Sequence, residues 1–394
     1  MIDFDKVQPR TGTNSVKWDA IQEMYHREGL LPLWVADMDF LAPKAVTIAL
    51  QDAVAKGIYG YSIFPDSLYR AIIDWQQTRH GFSLEKEAIL FNSGVVPSLA
   101  LALQSYTAEN DAILIHDPVY HPFADVIKRN NRRLVRTPLL EKNGHFEMDF
   151  AAMEQAIVEN NIKLFILCNP HNPGGRVWTK EELTTIGLLC QKHHVFVVSD
   201  EIHQDIVFAP HRFTSFQTVD PSFTAFSIVL TSATKTFNLA GIKNSMVFIK
   251  DPALRKRFVA AQERNVQGEI NTFGTVATEA AYREGAPWLE ALLPYLSDNA
   301  AFIQSFLQAH MPNVRVQMPE GTYLMWLDFS AYGLSDQQLQ RILINEAHVV
   351  LNQGTIFGPH GSQHMRLNFA CSRSILEKAL HQIAEAFETI DRKE

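Results

Sequence analysis

Short apolar runs, each stopped by a polar turn and separated from the next by stretches with helical periodicity, restrict this chain more than any other feature. They cover residues 88–91, 112–115, 164–168, 195–198 and 226–230. Runs so apolar and so short read as strands buried on both faces. Alternation with helices predicts a mostly parallel sheet with helices on both faces, an α/β fold. Ligands of such sheets bind beyond the carboxyl ends of the strands. The polar groups that end the runs all fall on that edge, so one site built from several loops is expected.

The fifth run leads into Thr-Ser-Ala-Thr-Lys-Thr-Phe-Asn-Leu-Ala-Gly-Ile-Lys-Asn, with Lys235 at the tip of a small polar turn. A lysine held against a protein interior has a depressed pKa and can present the free amine that attacks a carbonyl. Ser232 and Lys243 flank it, a hydroxyl and a second cation suited to a phosphate. The first run turns through Asn92-Ser93-Gly94-Val95-Val96-Pro97 into a helix expected over 98–105. Glycine permits close backbone approach there, and the free amides of the first helical turn favour an anion. The fourth run ends in Asp200, a carboxylate that is costly to bury unless paired. The third runs into Asn-Pro-His-Asn-Pro-Gly-Gly, a rigid loop, in which His171 is read as loop structure.

The 394 residues, 46% of them hydrophobic, are enough for two domains. A net charge of -8 without a long basic block disfavours nucleic acid. The three cysteines lie in apolar surroundings and read as reduced core thiols. No stretch approaches the about 18 apolar residues of a membrane span, and the start MIDFDKVQPR lacks a signal-peptide core. A cytoplasmic protein with no membrane partner is expected. His360 and His364 are four apart but interrupted by turn residues and lack a third ligand, so no metal site is read.

Helices are expected at 43–56, 180–193 and, with Pro294 inside it, 286–310, where a domain boundary is placed. Beyond it, strands at 314–316, 322–329, 348–356 and 365–369 alternate with helices at 336–348 and 374–390, a smaller α/β unit. Arg366 lies within the strand His-Met-Arg-Leu-Asn-Phe; it is an ion-pair partner, an edge-strand solubiliser or a fork for a carboxylate.

Taken together, Ser-x-x-Lys followed by Gly-x-Lys, and the loops above, resemble the fold type I, aminotransferase-like family of pyridoxal-phosphate enzymes over almost the whole chain. Ser-Gly-Val-Val-Pro, Asp-Glu-Ile-His, Trp-Val-Ala-Asp-Met-Asp-Phe and Tyr-Gly-Tyr resemble its cystathionine β-lyase and cysteine-desulfhydrase branch. The resemblance implies pyridoxal 5'-phosphate as cofactor and an arm (1–45) contributing to the small domain, a large cofactor-binding domain (46–285) and a small C-terminal domain (286–394). It implies Lys235 as Schiff-base lysine and base, Asp200 at the pyridinium nitrogen, Asn172 at the phenolic oxygen and Tyr120 stacked on the ring. Gly94, Val95, Val96, Ser232 and Lys243 would hold the phosphate, and Arg366 the substrate's α-carboxylate. Tyr61, chosen over Tyr59, would reach the phosphate of a neighbouring subunit, giving a homodimer with shared sites. His203 stands where most aminotransferases of this family carry a tyrosine, and Lys243 where many carry arginine. The implied reaction is carbon–sulfur β-elimination on a small amino acid. Transamination is the alternative, and a lyase that also binds a regulator a second one.

Overall fold

The computed structural model describes residues 2–142 and 144–391. In chain order its strands are β1 (Leu31–Pro32), β2 (Ile89–Asn92), β3 (Ala112–Asp117), β4 (Arg133–Lys142), β5 (His145–Met148), β6 (Ile162–Cys168) and β7 (Phe196–Asp200). They continue as β8 (Ser227–Thr231), β9 (Ser245–Phe248), β10 (Arg315–Gln317), β11 (Leu324–Asp328), β12 (Val349–Val350), β13 (Asn352–Gln353) and β14 (His364–Asn368). An eight-stranded sheet has the order β2-β9-β8-β7-β6-β3-β4-β5. Its β8-β7-β6-β3-β4 centre is parallel, while β9 and β5 pair antiparallel with their neighbours. The expected mostly parallel sheet is therefore present.

Pleating explains why the central strands are apolar throughout. Ile113, Ile115, Leu164, Ile166 and Val198 enter one core, with the helices Val95–Tyr106, Pro122–Arg129 and Pro252–Arg264. Ala112, Leu114, Phe165, Leu167 and Val197 enter another, with the helices Phe150–Asn160 and Lys180–Lys192. Successive side chains point to opposite faces, and here each face has its own helical cover.

The C-terminal residues form a four-stranded antiparallel sheet, β10-β11-β14-β13. Residues 348–356, read from sequence as one strand, are divided: β12 pairs with β1 of the arm, β13 pairs with β14, and a 3-10 turn, Gly354–Phe357, follows. A Cβ on Gly354 would stand 2.0 Å from the Gly361 carbonyl, so this close backbone approach ends the strand. The helix expected from residue 98 begins three residues earlier, at Val95, because Val-Val-Pro fills its first turn. The long helix Ala286–His310 contains Pro294 as expected. The three cysteines are free and buried.

Candidate active site

Parallel pairing brings the carboxyl ends of β3, β6, β7 and β8 into one row, with Asp200 opposite both Cys168 and Leu230. From this row the loops deliver Tyr120, Asn172, Asp200, His203 and Lys235. β14 adds Arg366 from the other sheet, and the arm crosses in front.

Lys235 lies on a short helical turn, Ala233–Thr236, whose N-terminus is capped by Ser232, the hydroxyl oxygen accepting the Thr234 amide at 3.1 Å. Its half-buried amine donates to the Ala36 carbonyl at 2.5 Å. Burial, and then the charge of Arg366, bring its pKa down from 10.5 to about 8, while Asp37 and Asp200 oppose the shift. Near neutrality the free amine is therefore far more populated than in an ordinary lysine, though still the minor form. Asp37 already forms an ion pair with Arg10 at 2.8 Å.

Asp200 is buried. Its Oδ1 accepts the Ile202 amide at 3.1 Å. Burial raises its pKa from 3.8 to about 7, against the Ile202 amide and the Lys235 charge, which lower it. The Ile202 amide and the Lys235 charge together do not offset the burial. His203 is buried with Nδ1 unpartnered, and burial followed by the charges of Lys235 and Arg366 keeps its ring neutral. Tyr120 is half-buried, its hydroxyl pushed up to about 12 by burial and then by Asp200.

Arg366 is the buried cation of the site. It donates to Asn172 Oδ1 at 3.0 Å, to the Trp34 carbonyl at 2.7 Å and to Asn352 Oδ1 at 2.5 Å. Its guanidinium lies 4.8 Å from the centre of the Phe357 ring, and its Nε is unpartnered. Burial lowers its pKa to about 10, which leaves it charged at neutral pH. Among the described residues no carboxylate lies within ion-pair distance of it. A buried, uncompensated charge is costly, and an anionic ligand removes that cost.

Gly94 precedes the twelve-residue helix Val95–Tyr106, whose N-terminus has no side-chain cap. The Val95 and Val96 amides are thus available to an anion. Ser232 is otherwise engaged: its hydroxyl donates to the Asn244 carbonyl at 2.8 Å as well as capping the turn. Lys243 is exposed, in the left-handed region at φ 57°. Tyr61 is fully exposed on a loop and within one chain is not brought to these groups. His171, read as loop structure, is buried and places Nε2 3.0 Å from the Pro118 carbonyl, tying two site loops together.

Residues the sequence did not single out hold the arm. Asn368 donates to the carbonyls of Val35 and Asp37, both at 2.6 Å. Asn238 donates to those of Met38 and Phe40 at 3.0 and 2.7 Å. Tyr323 donates to that of Ala36 at 2.9 Å. One signal was available: Asn368 follows Arg366 by two, so strand periodicity puts both on one face.

With this geometry in place, the family model for aminotransferase class I and II matches residues 29–383. The chain belongs to that family. It is similar to cystathionine beta-lyase PatB of Bacillus subtilis (strain 168), with 42% identity over 98% of this chain and 100% of the relative. Among solved structures it is similar to cystalysin from Treponema denticola, which contains pyridoxal 5'-phosphate, with a TM-score of 0.96 and 31% identity over 99% and 100% of the two chains. The PLP-bound C-S lyase from Staphylococcus hominis superposes with a TM-score of 0.91 and 33% identity over 98% and 97%.

Proposed function

We propose that this chain is a pyridoxal 5'-phosphate-dependent carbon–sulfur β-lyase that acts on amino acids of the cystathionine and cysteine type and releases a thiol, pyruvate and ammonia. The observation that carries the reading is Arg366, buried, charged and facing no carboxylate among the described residues, in one site with the shifted Lys235 amine and the shifted Asp200 carboxyl.

The residues fit the cofactor on their own chemistry. Asp200 at about 7 is a carboxyl that a protonated ring nitrogen would return to the ionised state. The unpartnered Nδ1 of His203 and the amide of Asn172 suit a phenolic oxygen. Gly94, Val95 and Val96 offer an uncapped helix N-terminus to a phosphate, Lys243 offers an exposed cation, Ser232 would have to release the Asn244 carbonyl to join them, and Tyr120 supplies a ring face. When bound, the cofactor supplies a reactive aldehyde and a ring that accepts the electrons left when a Cα–H bond breaks. Arg366 binds the substrate carboxylate through its fork and orients the Cα hydrogen. The Lys235 amine takes that proton. A neutral His203 adds no second positive charge beside Lys235.

Transamination would use the same residues, and the lyase relatives favour elimination. Ile58 is 85% and Ile63 84% exposed, flanking Tyr61 on a loop that has little apolar cover of its own. This supports a homodimer in which Tyr61 crosses to the neighbouring site. The eight-stranded and four-stranded sheets, with β1 of the N-terminal segment paired to β12, suit an arm, a large domain and a small domain divided near 46 and 286. No helix among the described residues is long and apolar enough to cross a membrane, and three free buried thiols fit a reducing, cytoplasmic setting.

The test is pyruvate release from cystathionine and from cysteine by the cofactor-loaded protein without any keto acid. Catalytic release lost in Lys235→Ala supports the lyase. Turnover that appears only once 2-oxoglutarate is added would replace it with an aminotransferase.

A further inference from the structure

Two donors converge on one carbonyl of the arm. Ala36 accepts from Lys235 Nζ at 2.5 Å and from the Tyr323 hydroxyl at 2.9 Å. The donors differ in kind. Lys235 must move, because its amine is covalently engaged in one phase of the reaction and free in another. Tyr323 is fixed: it is 1% exposed, precedes β11, and sets its ring edge-on to His203 at 5.8 Å. Burial drives its pKa far above the ordinary value, so it keeps its proton and always donates. The carbonyls of Val35 and Asp37 are held by the fully buried side chain of Asn368. Ala36 is thus the point where a mobile reactive group and a fixed donor share an acceptor.

We propose that Tyr323 is a positioning residue for proton transfer at the substrate Cα. It holds the Ala36 carbonyl as the resting acceptor for the free Lys235 amine and so aims the amine's lone pair at the Cα hydrogen. In that step the Cα–H bond breaks, an N–H bond forms, the electron pair stays with the substrate, and the new ammonium keeps one N–H on Ala36. Without the hydroxyl, only the moving amine holds the carbonyl, and its resting place is no longer defined. Tyr323 touches neither reacting atom; its effect passes through a peptide carbonyl.

This inference rests on the reading of Lys235 as the base. The experiment is exchange of the Cα hydrogen of L-alanine with solvent deuterium, followed by NMR on the cofactor-loaded protein. Alanine has no leaving group on Cβ, so exchange reports proton transfer whether the enzyme eliminates or transaminates. In Tyr323→Phe, exchange at saturating alanine is expected to slow roughly tenfold or more while the KM for alanine stays within about twofold. Cofactor absorbance is expected to be unchanged. Wild-type exchange in this variant overturns the proposal, as does a slowing matched by a rise in KM. Tyr323→His, whose ring N–H can donate to the same carbonyl, is expected to exchange faster than Tyr323→Phe, and equal or slower exchange overturns the proposal. If Tyr323→Phe fails to hold cofactor, Tyr323→His is compared with wild type, and a loss beyond about a hundredfold overturns it. Equal exchange by wild type and Lys235→Ala would remove the base itself, and this inference with it.

Discussion

Arg366 donates to the side-chain oxygen of Asn172 at 3.0 Å, joining a strand of the small sheet to the loop that leaves β6 of the large one. The contact orients both partners. Among the described residues Arg366 is held by neutral acceptors, which fix its plane without cancelling its charge. The Asn172 oxygen is used, so its amide N–H groups are the part left for a ligand. The proposed carboxylate site and the proposed cofactor contact are therefore linked by one hydrogen bond.

Arg366→Lys should keep the charge and lose the fork. An ammonium cannot serve Asn172, the Trp34 carbonyl, Asn352 and a bidentate carboxylate together. Loss of one charge-assisted hydrogen bond costs about 1.5–3 kcal/mol, so kcat/KM for cystathionine should fall on the order of 10- to 100-fold, mainly through KM. Steady-state kinetics check this, and an unchanged KM would remove Arg366 from the carboxylate site.

Lys235 should capture the cofactor with a rate that rises with pH through a midpoint near 8, well below the ordinary 10.5 of a lysine. Only the free amine attacks the aldehyde, so rate follows the deprotonated fraction. Burial is the larger cause of the shift and the Arg366 charge the second. Arg366→Met should accordingly move the midpoint upward. Stopped-flow absorbance of cofactor-free protein mixed with pyridoxal phosphate measures both, with Lys235→Ala as the blank.

The sheet was legible because β3, β6, β7 and β8 are apolar on both faces; Lys235 and Asp200 stood out as polar groups where such runs stop, whereas Asn172 in its loop and Arg366 inside β14 were picked out through the family resemblance. The arm's role was not legible at the residue level. Its contribution is a series of backbone carbonyls, from Trp34 to Phe40, and every residue type has one. Tyr323 begins an apolar strand and reads as core, and its hydroxyl matters only once Ala36 is folded against it. Residues 348–356 failed for a related reason: Val349–Val350 and Asn352–Gln353 alternate plausibly as one strand, yet their partners belong to different sheets.

Asp200 should give the cofactor-free protein a distinctive pH dependence. Its pKa is raised from 3.8 to about 7 by burial. Between those values the folded chain holds a proton that the unfolded chain has released, so this group's contribution to stability falls as pH rises from about 4 to about 7. Glu201, also raised to about 7 by burial, contributes a parallel dependence, so variants must be compared. Asp200→Asn should gain stability relative to wild type as pH rises through this window without cofactor, and lose that advantage once cofactor is bound. Urea unfolding at pH 5 and pH 7.5, with and without pyridoxal phosphate, makes the comparison.

Gly175 should be sensitive to a single methyl. It sits in the left-handed region at φ 68°, and a Cβ there would lie 2.6 Å from the Pro319 Cβ and 2.8 Å from its Cα. Its carbonyl accepts the amides of Glu320 and Gly321 at 2.9 and 3.0 Å. Arg176 beside it binds Glu320 at 2.7 Å and Glu182 at 2.6 Å. Segment 319–322, which leads directly into Tyr323, is thereby pinned to the loop carrying Asn172. Gly175→Ala combines backbone strain with overpacking and should cost about 2 to 5 kcal/mol. The displacement would act on both ends of the pin, so thermal unfolding should shift downward and Cα–H exchange should slow even where the cofactor still binds. A variant with wild-type melting temperature and exchange would mean that this contact neither stabilises the fold nor positions the site.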